Sequence, residues 1–264
     1  MNTFPKIDVH AHLFEGKAAL KSLVSNARKQ NYKGMCLSST GKKHFQVGND
    51  AVLAVAKSYP DIIYPFVWVD LDKTDANVLE EYKERGAKGV KVIDPLLPYN
   101  HPNYLPVFTK AGELGLPVLF HTGIKARLYD GPPSCNVNHR PTFVDDAARR
   151  CPKTKMILAH ISTPWHDEAL MTARINPNVY IDLSSGSGWE IKGMDGKWFK
   201  RALWWKDAWK KVLFASDVRP GKLGWAVDVY DKILDGIEAG EEVRKDVFYR
   251  NAERLWQGTE RAIQ

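Results

Sequence analysis

Hydrophobic positions along this chain gather into short runs that each finish on a polar residue. They occupy residues 6–13, 34–40, 62–70, 89–94, 117–121, 156–160, 179–184 and 212–217. The intervals are about thirty residues, the length of a strand plus a crossover helix. Runs that are apolar almost throughout are typical of parallel strands buried on both faces. The stretches between them carry helical spacing. Residues 17–30 place Leu20, Leu23, Val24 and Ala27 on one face. Further helices are expected over 50–58, 78–85, 104–114, 142–150 behind Pro141, 167–174, 198–209, 225–239 and 242–256. Gly86, Gly115 and the Cys151-Pro152 pair stand where helices should stop.

Eight strand–helix units in 264 residues, without a Gly/Ser-rich linker or a shift in composition, predict one domain over 1–264. The expected fold is α/β, a single (β/α)8 TIM-type barrel with its site at the C-terminal strand ends. A doubly wound open sheet is the alternative. The two differ in what they do with the polar run ends: a barrel gathers His10, His12, His121, His160 and Asp217 at one mouth, whereas an open sheet scatters them along an edge.

The first run, Lys6-Ile7-Asp8-Val9-His10-Ala11-His12-Leu13, is the most specific. Residues i and i+2 of a strand share a face, so His10 and His12 aim two imidazoles at one point. Imidazole is a common ligand for Zn, Mn or Fe, and two supply half of a small site. The competing reading of an isolated His-x-His is a capping pair. Recurrent polar strand ends downstream favour the metal.

Composition narrows the classes. A 44% hydrophobic chain with nine Trp fits a globular enzyme. No stretch approaches the roughly 20 apolar residues of a membrane span, and the amino terminus lacks a signal-peptide pattern, so a cytoplasmic location is expected. Cys36, Cys135 and Cys151 are odd in number and form no close pair, as reduced thiols would. The net charge of +7 is dispersed over helix faces, which argues against a nucleic-acid groove. Lys125, Arg127, His139 and Arg140 follow the fifth run, and Arg219 follows the eighth. In a barrel these cations ring the mouth and would orient a carboxylate, with Trp68 and Trp189 as apolar walls. The expected partner is a small molecule, with room for a homodimer and with neither nucleic acid nor membrane.

Asp8-Val9-His10-Ala11-His12, Phe120-His121-Thr122-Gly123, Leu158-Ala159-His160-Ile161-Ser162 and Phe214-Ala215-Ser216-Asp217-Val218-Arg219-Pro220 resemble the amidohydrolase superfamily. The terminal Asn251-Ala252-Glu253-Arg254-Leu255-Trp256 is similar to the closing helix of its amidohydrolase-related branch of hydrolases, lactonases and decarboxylases. The resemblance implies that His10, His12 and His121 are metal ligands, and that Asp217 is a ligand and proton shuttle. His160 would be a further ligand or a catalytic group. One divalent ion is expected, Zn first and Mn second. Lys91 matches a lysine that, carboxylated, bridges two metals in some members; the preferred reading here is one metal with Lys91 holding a substrate anion. TatD-like nucleases, similar in length and opening, normally carry glutamate in the fourth strand, where this chain has Lys91.

Such a metal brings the pKa of bound water from about 16 toward 7 and polarises a carbonyl. The expected activity is therefore metal-dependent hydrolysis of a small carboxylate-bearing ester, lactone or amide. The alternative is non-oxidative decarboxylation of a small aromatic or unsaturated acid, and an inactive metal-binding barrel is the third reading. The expected catalytic residues are Asp217 and His160, and the substrate-binding residues Lys91, Arg127, Arg140, Arg219 and Trp189.

Overall fold

In a computed structural model of the protein, described over residues 2–13, 17–40, 47–125, 135–184 and 193–257, the eight runs form eight parallel strands. They are β1 (Lys6–His12), β2 (Tyr32–Ser38), β3 (Ile63–Trp68), β4 (Gly89–Val92), β5 (Val118–Phe120), β6 (Met156–Leu158), β7 (Val179–Asp182) and β8 (Val212–Leu213). Each pairs with its sequence neighbour. The ring closes between its ends, where the Val9 amide donates to Phe214 O at 3.0 Å and the Asp217 amide to His10 O at 2.7 Å. The second bond also ties two of the expected site residues together. The fold is a (β/α)8 barrel of the TIM type.

Between the strands lie α1 (Lys17–Lys29), α2 (Asn49–Ser58), α3 (Val78–Glu84), α4 (Leu105–Glu113), α5 (Pro141–Arg150), α6 (His166–Ile175), α7 (Gly196–Ala202) and α8 (Leu223–Gly236). Gly86 and Gly115 follow α3 and α4 with φ of 100° and 64°, a left-handed turn that glycine takes without a Cβ penalty. Pro141 is the first residue of α5, where its missing N–H costs no helical bond.

Three expected elements differ, two of them around α7 and β8. The helix over 198–209 is instead α7 followed by a 3-10 turn, Ala208–Lys211. Asp207, at φ 62°, is left-handed and cannot propagate a right-handed helix. Gly196, at the start of α7, packs on Gly236 of α8 so closely that a side chain would meet backbone. The run over 212–217 pairs with β7 only through Val212 and Leu213, because its later residues turn toward β1. There the buried Tyr230 hydroxyl replaces ladder bonds: it accepts from the Leu183 and Ala215 amides at 2.9 and 3.1 Å and donates to Leu213 O at 2.9 Å.

The core has two layers. An outer layer joins strands to helices, while an inner cluster including Ile7, Val9, Phe66, Leu119, Ile157, Tyr180 and Leu213 fills the barrel. Gly89 of β4 makes room for the Phe66 ring, which a Cβ there would strike. The barrel floor is closed by the chain's last described turns. The expected 242–256 helix is α9 (Glu241–Lys245), a wide turn (Asp246–Arg250) and α10 (Asn251–Glu253). Asn251 donates to Trp209 O and Val212 O at 2.8 Å each, and Ala252 and Leu255 join the inner cluster. Trp256 packs edge-on to Tyr64 and donates to Lys88 O.

Candidate metal centre at the barrel mouth

β1 does not deliver its histidines by plain alternation. Ile7 and Val9 belong to the inner cluster, yet His10 and His12 also face the mouth. The side that faces inward changes after Val9, within the stretch between Asp8 and Ala11 where pairing with β2 shifts register. Such a bulge re-aims side chains at a barrel rim. Asp8 fastens this irregular stretch to the chain after β8. One of its oxygens accepts from the His10 and Ser216 amides at 3.0 Å, and the other accepts the Ser216 hydroxyl at 2.5 Å. Burial pushes the Asp8 carboxyl up to about 7, against these hydrogen bonds.

The hydrogen bonds fix the ring tautomers. His10 Nδ1 lies 3.1 Å from Asp182 Oδ2, an acceptor, so Nδ1 carries the proton and Nε2 a lone pair. His12 Nδ1 lies 3.3 Å from Ser38 O and is assigned the same way. The two Nε2 atoms then face each other at 3.2 Å without a proton between them, and Asp217 Oδ1 lies 3.3 Å from His12 Nε2. Three electron-pair donors this close form a site that can hold a cation, and the Lys91 ammonium already lies 3.1 Å from His10 Nε2. Zn–N bonds of about 2.0–2.1 Å place two nitrogens on one ion about 3.3 Å apart, so His10, His12 and Asp217 fit a divalent metal.

A second group, His10, His160 and Asp182, is equally close, but its His10 contact is the Nδ1 bond just described. We read Asp182 as the carboxylate that orients the histidines. Its Oδ1 accepts from the His160 amide at 2.9 Å, the Ser184 amide at 2.9 Å and the Ser184 hydroxyl at 2.5 Å. With its proton given to Asp182, Ser184 Oγ accepts from His160 Nδ1 at 2.8 Å. His160 Nε2 is thus left unprotonated, 3.7 Å from Asp217 Oδ2. Although burial opposes it, the hydrogen bonds from His10 and the Ser184 hydroxyl hold Asp182 well below the usual carboxylate range. Asp217 is also lowered, by His10, His160 and His12 against burial. Burial takes His160 down to about 4 in spite of Asp217.

His160 and Asp217 adopt left-handed backbones, with φ of 60° and 46°, as does Asp94 at 62°. Non-glycine residues in this region are uncommon and concentrate at functional sites. Lys91 of β4 is fully buried, and its Nζ reaches His10 Nε2 at 3.1 Å. Burial brings its ammonium down to about 8 while Asp217 and Asp182 pull it up.

The sequence model of the Amidohydrolase family matches residues 41–258. The chain belongs to this family. Since β1 precedes the matched residues, His10 and His12 enter the site on geometry and not through that match. No protein of curated function matches this family member in sequence. Among solved structures it is similar to an uncharacterized TIM-barrel protein of Bordetella bronchiseptica, with TM-score 0.71, 16% identity, and 95% of this chain and 98% of that one covered. It is similar as well to a protein described as a probable 2-pyrone-4,6-dicarboxylic acid hydrolase of Acinetobacter baumannii, at TM-score 0.66, 16% identity and coverage of 95% and 98%. A third is 2,6-dihydroxybenzoate decarboxylase from Rhizobium, at TM-score 0.68, 16% identity and coverage of 97% and 99%. At these identities the likeness establishes the barrel, and both hydrolases and decarboxylases share it.

The remaining expected residues of this amidohydrolase family member divide. His121 stands after β5 with its ring 5.2 Å from His160 and 5.4 Å from His139, and its buried Nε2 has no hydrogen-bond partner among the described residues. It lies outside the two tightest groups, and the orphaned nitrogen fits a ligand role beside them. His139 is wholly buried, and burial takes it down to about 4 although Asp94 raises it. Arg140 is drawn elsewhere, to Glu168 and the Trp165 ring at 5.5 Å. Lys125 pairs with Asp94. Arg219 is exposed beyond β8. Arg127 and Trp189 lie outside the described residues. The sequence reading did not single out Asp182 or Ser184 as site residues, although the seventh run ends on them like the other runs.

Proposed function

We propose that the protein is a metal-dependent hydrolase that acts on a small ester, lactone or amide bearing a carboxylate. The observation that carries this reading is the triangle of His10 Nε2, His12 Nε2 and Asp217 Oδ1, three potential metal donors within 3.2–3.3 Å along two of its sides. His10, His12 and Asp217 would hold one divalent ion, Zn before Mn, and His121 would join them as a further ligand through its unpartnered Nε2. When bound, the ion supplies Lewis acidity to a water molecule and to a substrate oxygen.

The chain's own residues then handle the proton. Asp217 is held anionic, and its Oδ2 faces His160 Nε2, so a proton accepted at Asp217 has an unprotonated nitrogen 3.7 Å away. Ser184 and Asp182 keep the His160 ring turned so that Nε2 stays free to receive it. The buried Lys91 would orient the substrate carboxylate, balancing the negative charge that develops as the carbonyl is attacked.

The second reading, decarboxylation, is supported by likeness to 2,6-dihydroxybenzoate decarboxylase. Hydrolysis returns to the leaving group the proton that Asp217 and His160 take from water, whereas decarboxylation must bring a proton to carbon on groups that start unprotonated in this arrangement. The deciding experiment loads the purified protein with Zn or Mn and offers it a panel of lactones, esters and aromatic carboxylates. Hydrolysis with incorporation of labelled water supports the proposal; carbon dioxide release without it reverses the choice. One equivalent of metal that survives the His10→Ala, His12→Ala double substitution would refute the site itself.

A further inference from the structure

The mouth has a second population of polar groups that this mechanism leaves unused. Ser38 ends β2 and His139 ends the 3-10 turn before α5, and both residues are completely buried. Among the described residues, Ser38 Oγ and both ring nitrogens of His139 make no hydrogen bond of ordinary geometry, the Gly123 backbone lying near enough only to raise the His139 ring against its burial. Each adjoins the metal-centre residues: Ser38 O accepts from His12, and the His139 ring meets His121 edge-on at 5.4 Å. Leaving a buried donor or acceptor unmade costs about 1–3 kcal/mol, so native proteins leave few such atoms without a reason. The nearby charges do not supply one, since Lys125 and Asp94 neutralise each other. A hydroxyl and an imidazole offer donors and acceptors, which suits an oxygen that both gives and takes a hydrogen bond.

We infer that Ser38, beside His12, and His139, beside His121, are specificity-determining residues, each placed to read a hydroxyl or carbonyl oxygen of a substrate bound at the metal centre. The inference rests on the mouth being the substrate site and adds to it a recognition arc over β2 and β5. A site built to hydrogen-bond an oxygen rejects the analogue that lacks it, because its own polar atoms are then stranded.

The test is calorimetric titration of the metal-loaded protein with benzoate and its 2-, 3- and 4-hydroxy isomers, so that the hydroxyl samples every ring position. At least one isomer should bind about tenfold tighter than benzoate, the effect of one hydrogen bond. His139→Phe or Ser38→Ala should bring that isomer to within about twofold of benzoate, with benzoate affinity and metal content unchanged. His139→Gln, which keeps a donor and an acceptor, should retain part of the preference; circular dichroism verifies the fold of each variant. The inference is overturned if no isomer outbinds benzoate, or if the preference survives both substitutions, in which case ordered water satisfies these atoms. It is also overturned if the preference disappears together with the metal. Failure of the underlying site reading looks different, because the His10→Ala, His12→Ala variant would then keep its metal.

Discussion

The two arcs of the barrel mouth are built on opposite principles. On the arc of β6, β7, β8 and β1, Asp8, His10, His160, Asp182, Ser184 and Ser216 satisfy one another through bonds of 2.5–3.1 Å. On the side of β2 and β5, the fully buried Ser38 and His139 and the half-buried His121 keep side-chain atoms without hydrogen-bond partners among the described residues. A saturated network holds a fixed constellation, since each member's orientation is determined by the next. An unsaturated one retains hydrogen-bonding capacity for something else. The contrast suggests a division of labour: the first arc poises the metal ligands and moves protons, and the second meets the substrate.

The largest effect should come from the His10→Ala, His12→Ala variant, which is expected to lose its metal and to fall to background turnover. Metal analysis alongside kinetics checks both. Asp217→Asn comes next: a similar shape without a proton acceptor should lower turnover by at least about 100-fold, and near-normal rates would remove Asp217 from the mechanism. Asp182→Ala tests the saturated arc directly. It strands the His10 and His160 donors and the Ser184 hydroxyl, so metal affinity should drop about 10–100-fold and unfolding free energy by about 3–5 kcal/mol.

The sharpest comparison uses two serines that are both fully buried. Ser184→Ala breaks a hydrogen bond to a charged carboxylate and should cost about 1.5–3 kcal/mol in chemical denaturation. Ser38→Ala removes a hydroxyl without a partner, so stability should stay within about 0.5 kcal/mol or rise. Equal destabilisation by the two would erase the distinction between the arcs.

Much of the fold was legible because parallel barrel strands are buried on both faces and therefore read as apolar runs, while the helices between them must be amphipathic. The eight runs, the glycine stops and the proline start of α5 all follow from that local chemistry. Boundaries at 198–209 and 212–217 were not legible. One depends on a left-handed Asp207 and on contact between Gly196 and Gly236, the other on Tyr230 substituting for ladder bonds from a different helix. Neither leaves a periodic trace.

The site shows the same limit. Sequence alone marked His10, His12, His121, His160 and Asp217, since polar residues at the ends of buried strands are conspicuous, and the motifs around them indicated the family. It also suggested a ring of cations, but an arginine does not announce its partner: Arg140 meets Glu168 only because α5 and α6 pack side by side. Asp182 and Ser184 looked like ordinary strand-end residues until closure of the barrel brought them to His10 and His160. What the sequence by itself determined was the inventory of polar groups at the strand ends and the period that sends them to one mouth. Tertiary structure alone decided which of those groups satisfy one another and which do not, because hydrogen bonding between distant strands depends on register, on the bulge in β1 and on left-handed turns that no local pattern encodes.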